Sequence, residues 1–132
     1  MKVFISQPMH GLSIETIQNR RNKCIEKIKS LYPNEKIYVV NDIVREDAPK
    51  DAGRLWFLGR AIQDLEKAEA IYFDKDWSSA KGCQIEYIIS VSYKLKILNI
   101  NSLFYINNMP KISEDSLDKI SQITKVPKEL LR

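Results

Sequence analysis

Residues 2–40 read KVFISQPMHGLSIETIQNRRNKCIEKIKSLYPNEKIYVV, and this stretch decides the fold. Residues 2–6 carry Val3, Phe4 and Ile5 without interruption, the pattern of a strand buried on both faces. From Ile14 to Leu31, apolar side chains recur at Ile14, Ile17, Cys24, Ile25, Ile28 and Leu31. That spacing predicts an amphipathic helix with Ser13 as its N-cap and with Arg20, Arg21 and several lysines on its outer side. Pro33 and Asn34 stop the helix, and residues 36–40 return as a second strand whose polar end is Asn41 and Asp42. Strand, helix and strand in this order make a β-α-β unit.

The same alternation continues outward from that unit. Residues 43–53 are polar, contain Pro49 and show no period, as in a long loop of the kind that lids a site. Leu55, Leu58, Ile62, Leu65 and Ala68 mark a second helix, on which Trp56 and Phe57 widen the apolar surface beyond what one core face needs. Residues 70–73, AIYF, form a short buried strand. A third helix follows from about Gly82 to Tyr93, with Ile85, Ile88, Ile89 and Ser92 at helical spacing. Residues 95–100 predict another strand, and residues 103–106 a short further one. From Pro110 the helical positions Ile112, Leu117, Ile120 and Ile123 predict a C-terminal helical extension over 110–132, with Pro127 opening a last turn. Strands separated by helices imply a parallel sheet covered on both faces. The expected architecture is one small, doubly wound, Rossmann-like α/β domain over residues 1–132.

Composition narrows the function classes. The chain has 132 residues, 44% hydrophobic and 29% charged, enough for one core. Its net charge of +4 is spread along the chain and interleaved with acids, the pattern of a solvated surface. This charge would welcome a phosphate-bearing small molecule but does not by itself discriminate a nucleotide from a polymer. The expected partner is a small-molecule nucleoside or nucleotide, with no nucleic-acid polymer. Cys24 and Cys83 form no CxxC pair and have no histidine at zinc spacing. They read as reduced thiols of a cytoplasmic protein, with no metal and no organic cofactor. No segment has the length and apolarity of a membrane span or a signal peptide. The phosphate-binding patterns GxGxxG and GxxxxGK[ST] are both absent.

Two loops are expected to face one crevice. Ligands of open α/β sheets bind beyond the carboxyl ends of the strands, where Ser6, Gln7, Pro8, Met9, His10 and Gly11 follow the first strand. Trp77, Ser78, Ser79 and Gly82 follow the strand at 70–73. Glu86 falls in the early turns of the third helix, where the positive end of the helix dipole favours an ionised carboxylate. A solvated helix glutamate would give the same pattern. His10 is the single histidine, placed in a loop. Asp64 lies four residues after Arg60, the spacing of an i,i+4 ion pair on a helix.

The segments KVFISQPMHG and WSSAKGCQIEYIIS, together with Asp64, resemble the nucleoside 2-deoxyribosyltransferase superfamily over roughly residues 2–100, especially its small phage and bacterial DUF4406-like branch. In that superfamily a glutamate four residues after a glycine attacks the anomeric carbon of a nucleoside, and Gly82 and Glu86 keep that spacing. The resemblance implies Glu86 as nucleophile and Asp64 as the acid that orients or protonates the departing base. It also implies Ser78 and Ser79 as phosphate contacts. Gln7 stands where the transferases carry a tyrosine, and Ala80 near where they carry a second loop acid. The implied reaction is cleavage of the N-glycosidic bond of a nucleoside or nucleotide, by hydrolysis or by transfer to a second base. The family's habit of completing sites across subunits, with Trp56 and Phe57, implies a homodimer or larger homo-oligomer. Two alternatives stay open on the residues alone: a module that binds or sequesters a nucleotide or an ADP-ribose-like signal without turnover, and a structural interaction protein.

Overall fold

The computed structural model describes residues 1–100, 114–125 and 127. Strand β1 (Lys2–Ser6) and strand β3 (Ala70–Phe73) are the two central strands, each buried along nearly its whole length. The sheet is wholly parallel, in the order β2-β1-β3-β4, with β2 at Tyr38–Val39 and β4 at Lys96–Ile97. In register, Val3 faces Ala70 and Ser6 faces Phe73, so the two central strands end level with one another. The outer strands are shorter than the sequence predicts, for a physical reason. Beyond β2, the Asn41 side chain accepts from the Ile5 amide at 3.0 Å and donates to the Ile5 carbonyl at 2.9 Å. Beyond β4, Asn99 does the same to Phe73, at 3.0 and 2.7 Å. A side-chain amide carries the donor and acceptor of a peptide group, so it continues the ladder where the strand stops.

Alternation along the strands sends residues to two cores. Val3, Ile5 and Tyr72 face helix α1 (Ile14–Leu31), which buries Cys24 and Ile28 against them. Phe4, Ile71 and Phe73 face the other way, toward helix α2 (Arg54–Leu65) and helix α3 (Lys81–Ser92). The sheet is therefore covered on both faces, as the doubly wound reading requires. Helix α1 has its predicted bounds, and Ser13 caps it by accepting from the Thr16 amide at 3.1 Å. A further helix, α4 (Glu114–Thr124), lies within the predicted C-terminal extension. The strand expected at 103–106 and the last turn after Pro127 lie outside the described residues.

The rotation of α3 differs from the sequence expectation. Ile85 and Ile88 are exposed, whereas Cys83, Glu86, Tyr87 and Ser90 are buried. The cause is an aromatic cluster: Tyr87 stacks on Trp77 with centroids 5.0 Å apart, and both pack on Phe73. Burying two large rings outweighs burying two isoleucines, and the aromatic face sets the helix phase. Trp77, expected at the ligand, is only 3% exposed and belongs to this core. The loop expected to act as a lid is pinned at two of its charged positions, Arg45 to Asp64 at 2.6 Å and Asp47 to Arg60 at 3.1 Å.

Candidate functional site

From β1 the chain crosses to β2 on one side, then returns to β3 on the other side of β1. The crevice of such a sheet lies at this reversal, beyond the carboxyl ends of β1 and β3. Ser6 is the last residue of β1, and the Asp74 amide donates to its carbonyl at 2.9 Å. From the opposite helix, the second turn of α3 brings Glu86 to the same point. The Ser6 hydroxyl donates to Glu86 Oε1 at 2.8 Å. The structure thus joins two of the sequence-predicted residues that lie 80 positions apart.

Glu86 is 7% exposed, and burial pushes its carboxyl well above the usual range, to about 7. The Ser6 hydrogen bond and the positive charges of Arg45 and Arg21 act in the opposite direction and only partly offset that burial. This corrects the expectation of a carboxylate held ionised by the helix dipole. Glu86 sits past the first turn, where the dipole's influence has faded, and Ala80 supplies no side-chain cap. Near neutral pH the group exchanges a proton, the property required of an acid or base in catalysis.

The surroundings of Glu86 are cationic and buried. Arg21 was expected to be solvated on the outside of α1; instead it points inward, its Nε donating to Gln7 Oε1 at 2.7 Å and its Nη1 to the Asn41 carbonyl. Its Nη2 has no hydrogen-bond partner among the described residues, and burial draws its pKa down to about 10. Gln7 is consumed by this network, since its Nε2 also donates to the Ile17 carbonyl at 3.1 Å. Asp64 is 1% exposed, with Arg60 Nη1 at 2.7 Å from one oxygen and Arg45 Nη1 at 2.6 Å from the other. The i,i+4 pair with Arg60 is present as its spacing indicates, but on a buried aspartate, and a second arginine completes the clamp. Both Asp64 oxygens lie at ion-pair distance from guanidinium groups; the contact with Arg45 has the distance of an ion pair without the angles of a hydrogen bond, and it ties the 43–53 loop to α2.

The remaining predicted residues form the rim or lie apart. Pro8 and Met9 are half-buried, and Gly11 turns the loop at φ +77°, a left-handed conformation that glycine adopts freely. His10 is exposed, with Arg54 Nη2 3.4 Å from both ring nitrogens. Ser78 and Ser79 form a 3-10 turn (Trp77–Ser79), and the Ser79 hydroxyl donates to the Asp76 carbonyl at 3.0 Å. Gly82 lies in the first turn of α3 with open space beside its Cα. Both thiols are buried, Cys24 on the α1 side and Cys83 on the α3 side, and burial pushes each up to about 12. Neither is available as a nucleophile.

Sequence reasoning missed Arg21, Arg45 and Asn41. An arginine within a lysine-rich helix reads as surface charge, and nothing local marks which one turns inward. Asn41 at a strand end reads as a turn residue. Among the described residues, no group of three or more metal-ligating side chains comes together, and no helix is long and apolar enough to cross a membrane. No family model, curated protein or solved structure matches the chain.

Proposed function

We propose that the protein cleaves the N-glycosidic bond of a nucleoside or nucleotide, with Glu86 as the nucleophile. The observation that carries this reading is the placement of the Glu86 carboxyl, buried at the sheet's reversal point and held through Oε1 by Ser6 at 2.8 Å; the same burial pushes its pKa up to about 7. Breaking a glycosidic bond passes through an oxocarbenium-like state, so a carboxylate against C1′ stabilises the developing cation and then forms the ester. In this reading Glu86 Oε2 bonds to C1′ as the C1′–N bond breaks, and the base leaves with the electron pair of that bond. Water then resolves the glycosyl ester in hydrolysis, or a second base resolves it in transfer. Ser6 fixes one oxygen and leaves the other to react. Asp64 acts as a positioning residue, orienting Arg45 toward the negative charge that Glu86 carries before attack.

The test is incubation with a panel of nucleosides and nucleotides, with and without an acceptor base, followed by quantification of free base. Glu86→Gln keeps the shape but removes the nucleophile, and its rate is expected to fall by at least about 4 kcal/mol of transition-state stabilisation. Turnover by Glu86→Gln at the wild-type rate sinks the mechanism.

A second reading has its own observation. The cleft of about 670 Å³ at this edge of the sheet is lined by residues of α1, β3 and the turn after it, and Glu86 is not among them. A module that sequesters a nucleotide or an ADP-ribose-like signal in that cleft needs no access to Glu86. Intact ligand recovered after prolonged incubation selects this reading.

The proposed setting is cytoplasmic and the proposed assembly a homo-oligomer, at least a dimer. Supporting the latter, Leu55, Phe57 and Ile62 of α2 and Ile85, Ile88 and Val91 of α3 are exposed on the helices that cover one face of the sheet. Phe57 also meets Trp56 edge-on with centroids 5.1 Å apart. Light scattering at micromolar concentration is expected to give at least twice the chain mass, and a monomer contradicts the assembly.

A further inference from the structure

We infer that the cleft between α1 and the end of β3 binds a phosphorylated small molecule through Lys23, Lys27 and Lys75. Its volume, about 670 Å³, falls in the range of small-molecule sites, roughly 300–1,000 Å³. It opens on the α1 face of the sheet, with Cys24 and Tyr72 in its wall and Ser78 and Ser79 beside them. Arg20, Lys23 and Lys27 stand at i, i+3 and i+7, so one face of α1 lines the cleft with cations.

The charges there do not balance. Four cations (Arg20, Lys23, Lys27 and Lys75) line the cleft against two carboxylates, Asp74 and Asp76, leaving two positive charges in excess. Arg20 is already committed: its Nε donates to Asp74 Oδ2 at 2.7 Å and its Nη2 to the Lys75 carbonyl at 2.8 Å. Among the described residues, none of the three lysine ammonium groups forms an ion pair. Lys23 and Lys27 are like charges at i,i+4, an arrangement that destabilises a helix unless an anion lies between them. The adjoining groove of about 480 Å³, which shares Lys27, Tyr72 and Asn99, contributes one acid, Glu26. A phosphoryl group in the larger cleft would meet the three lysines that line it, the Ser78 hydroxyl and no unpaired acid among the lining residues except Asp76, the Ser79 hydroxyl being donated already to the Asp76 carbonyl. Concavity and size favour a compact phosphate ester over a polymer, which needs a long basic stripe.

The inference is independent of the Glu86 chemistry, and calorimetric titration of the full chain separates the two. Pyrophosphate, a nucleoside monophosphate and its parent nucleoside serve as probes. Pyrophosphate is expected to bind with a submillimolar Kd that weakens as salt rises. Lys23→Ala with Lys27→Ala should weaken it at least about tenfold with an unchanged melting temperature, and Lys→Arg at both positions should retain most of the affinity. A nucleoside monophosphate that binds more tightly than its nucleoside identifies a nucleotide as the source of the phosphoryl group; binding of pyrophosphate alone identifies a free oligophosphate. Either result supports the site. Glu86→Gln should bind pyrophosphate as the wild type does. The inference is overturned if pyrophosphate fails to bind at millimolar concentration, if the double alanine variant binds it unchanged, or if a single-stranded oligonucleotide binds more tightly than every small probe.

Discussion

The two sides of the sheet's carboxyl edge handle charge in opposite ways. On the α3 side, Asp64 and Glu86 are buried, and each is answered from within the protein, Asp64 by two arginines and Glu86 by the Ser6 hydroxyl and partial protonation. On the α1 side, Lys23, Lys27 and Lys75 line an open cleft and make no ion pair among the described residues. Desolvation explains the difference. A buried charge must be paired or neutralised to persist, whereas an ammonium group in water persists without a partner. The closed side is built for a fixed geometry and a shifted proton equilibrium, the open side for attraction.

The comparison breaks first at Asp64. If this carboxylate is the internal counter-charge of the closed side, Asp64→Asn leaves Arg45 without its anion and Arg60 with Asp47 alone, and destabilises the fold by about 3 kcal/mol or more. Chemical denaturation measures this directly. A loss below about 1 kcal/mol, the level of an exposed ion pair, would place Asp64 with the solvated charges instead.

A somewhat smaller effect sharpens the comparison through pH. Because the folded carboxyl of Glu86 titrates at about 7, the folded protein keeps a proton that the unfolded chain releases at the ordinary glutamate pH. Stability therefore falls as pH rises from the usual carboxylate range through about 7, by about 3 kcal/mol in total. Activity through the ionised nucleophile should rise over the upper part of the same window, in the opposite direction. Glu86→Gln is expected to remove its share of the stability slope, seen as a flatter dependence of melting temperature on pH. An unchanged slope would show that Glu86 titrates normally.

The legible parts of the fold are those that local pattern fixes. Val3–Ile5 and Ala70–Phe73 are continuous apolar runs, and the 14–31 helix has both its period and its serine cap, so the sheet's centre and α1 follow from the sequence. The phase of α3 does not follow, because the residues that set it, Trp77 and Phe73, lie outside the helix and act only once packed. The Ser6–Glu86 contact was approachable, since both strand ends were expected at one crevice. Its cationic surroundings were not: Arg21 differs from its neighbour Arg20 in nothing but helical phase, yet Arg20 reaches Asp74 at the cleft while Arg21 is buried behind Gln7.

Asn41 and Asn99 have one more consequence. Each closes the ladder on a central strand with side-chain atoms, and after Asn41 the main chain is released from the strand's repeat. Loop length after Asn41 is thereby uncoupled from sheet alignment: lengthening or shortening the segment that follows would alter the crevice wall without sliding β1 against its neighbours. One side-chain amide thus separates the alignment of the sheet from the length of the loop, whose own anchors are the ion pairs of Arg45 and Asp47.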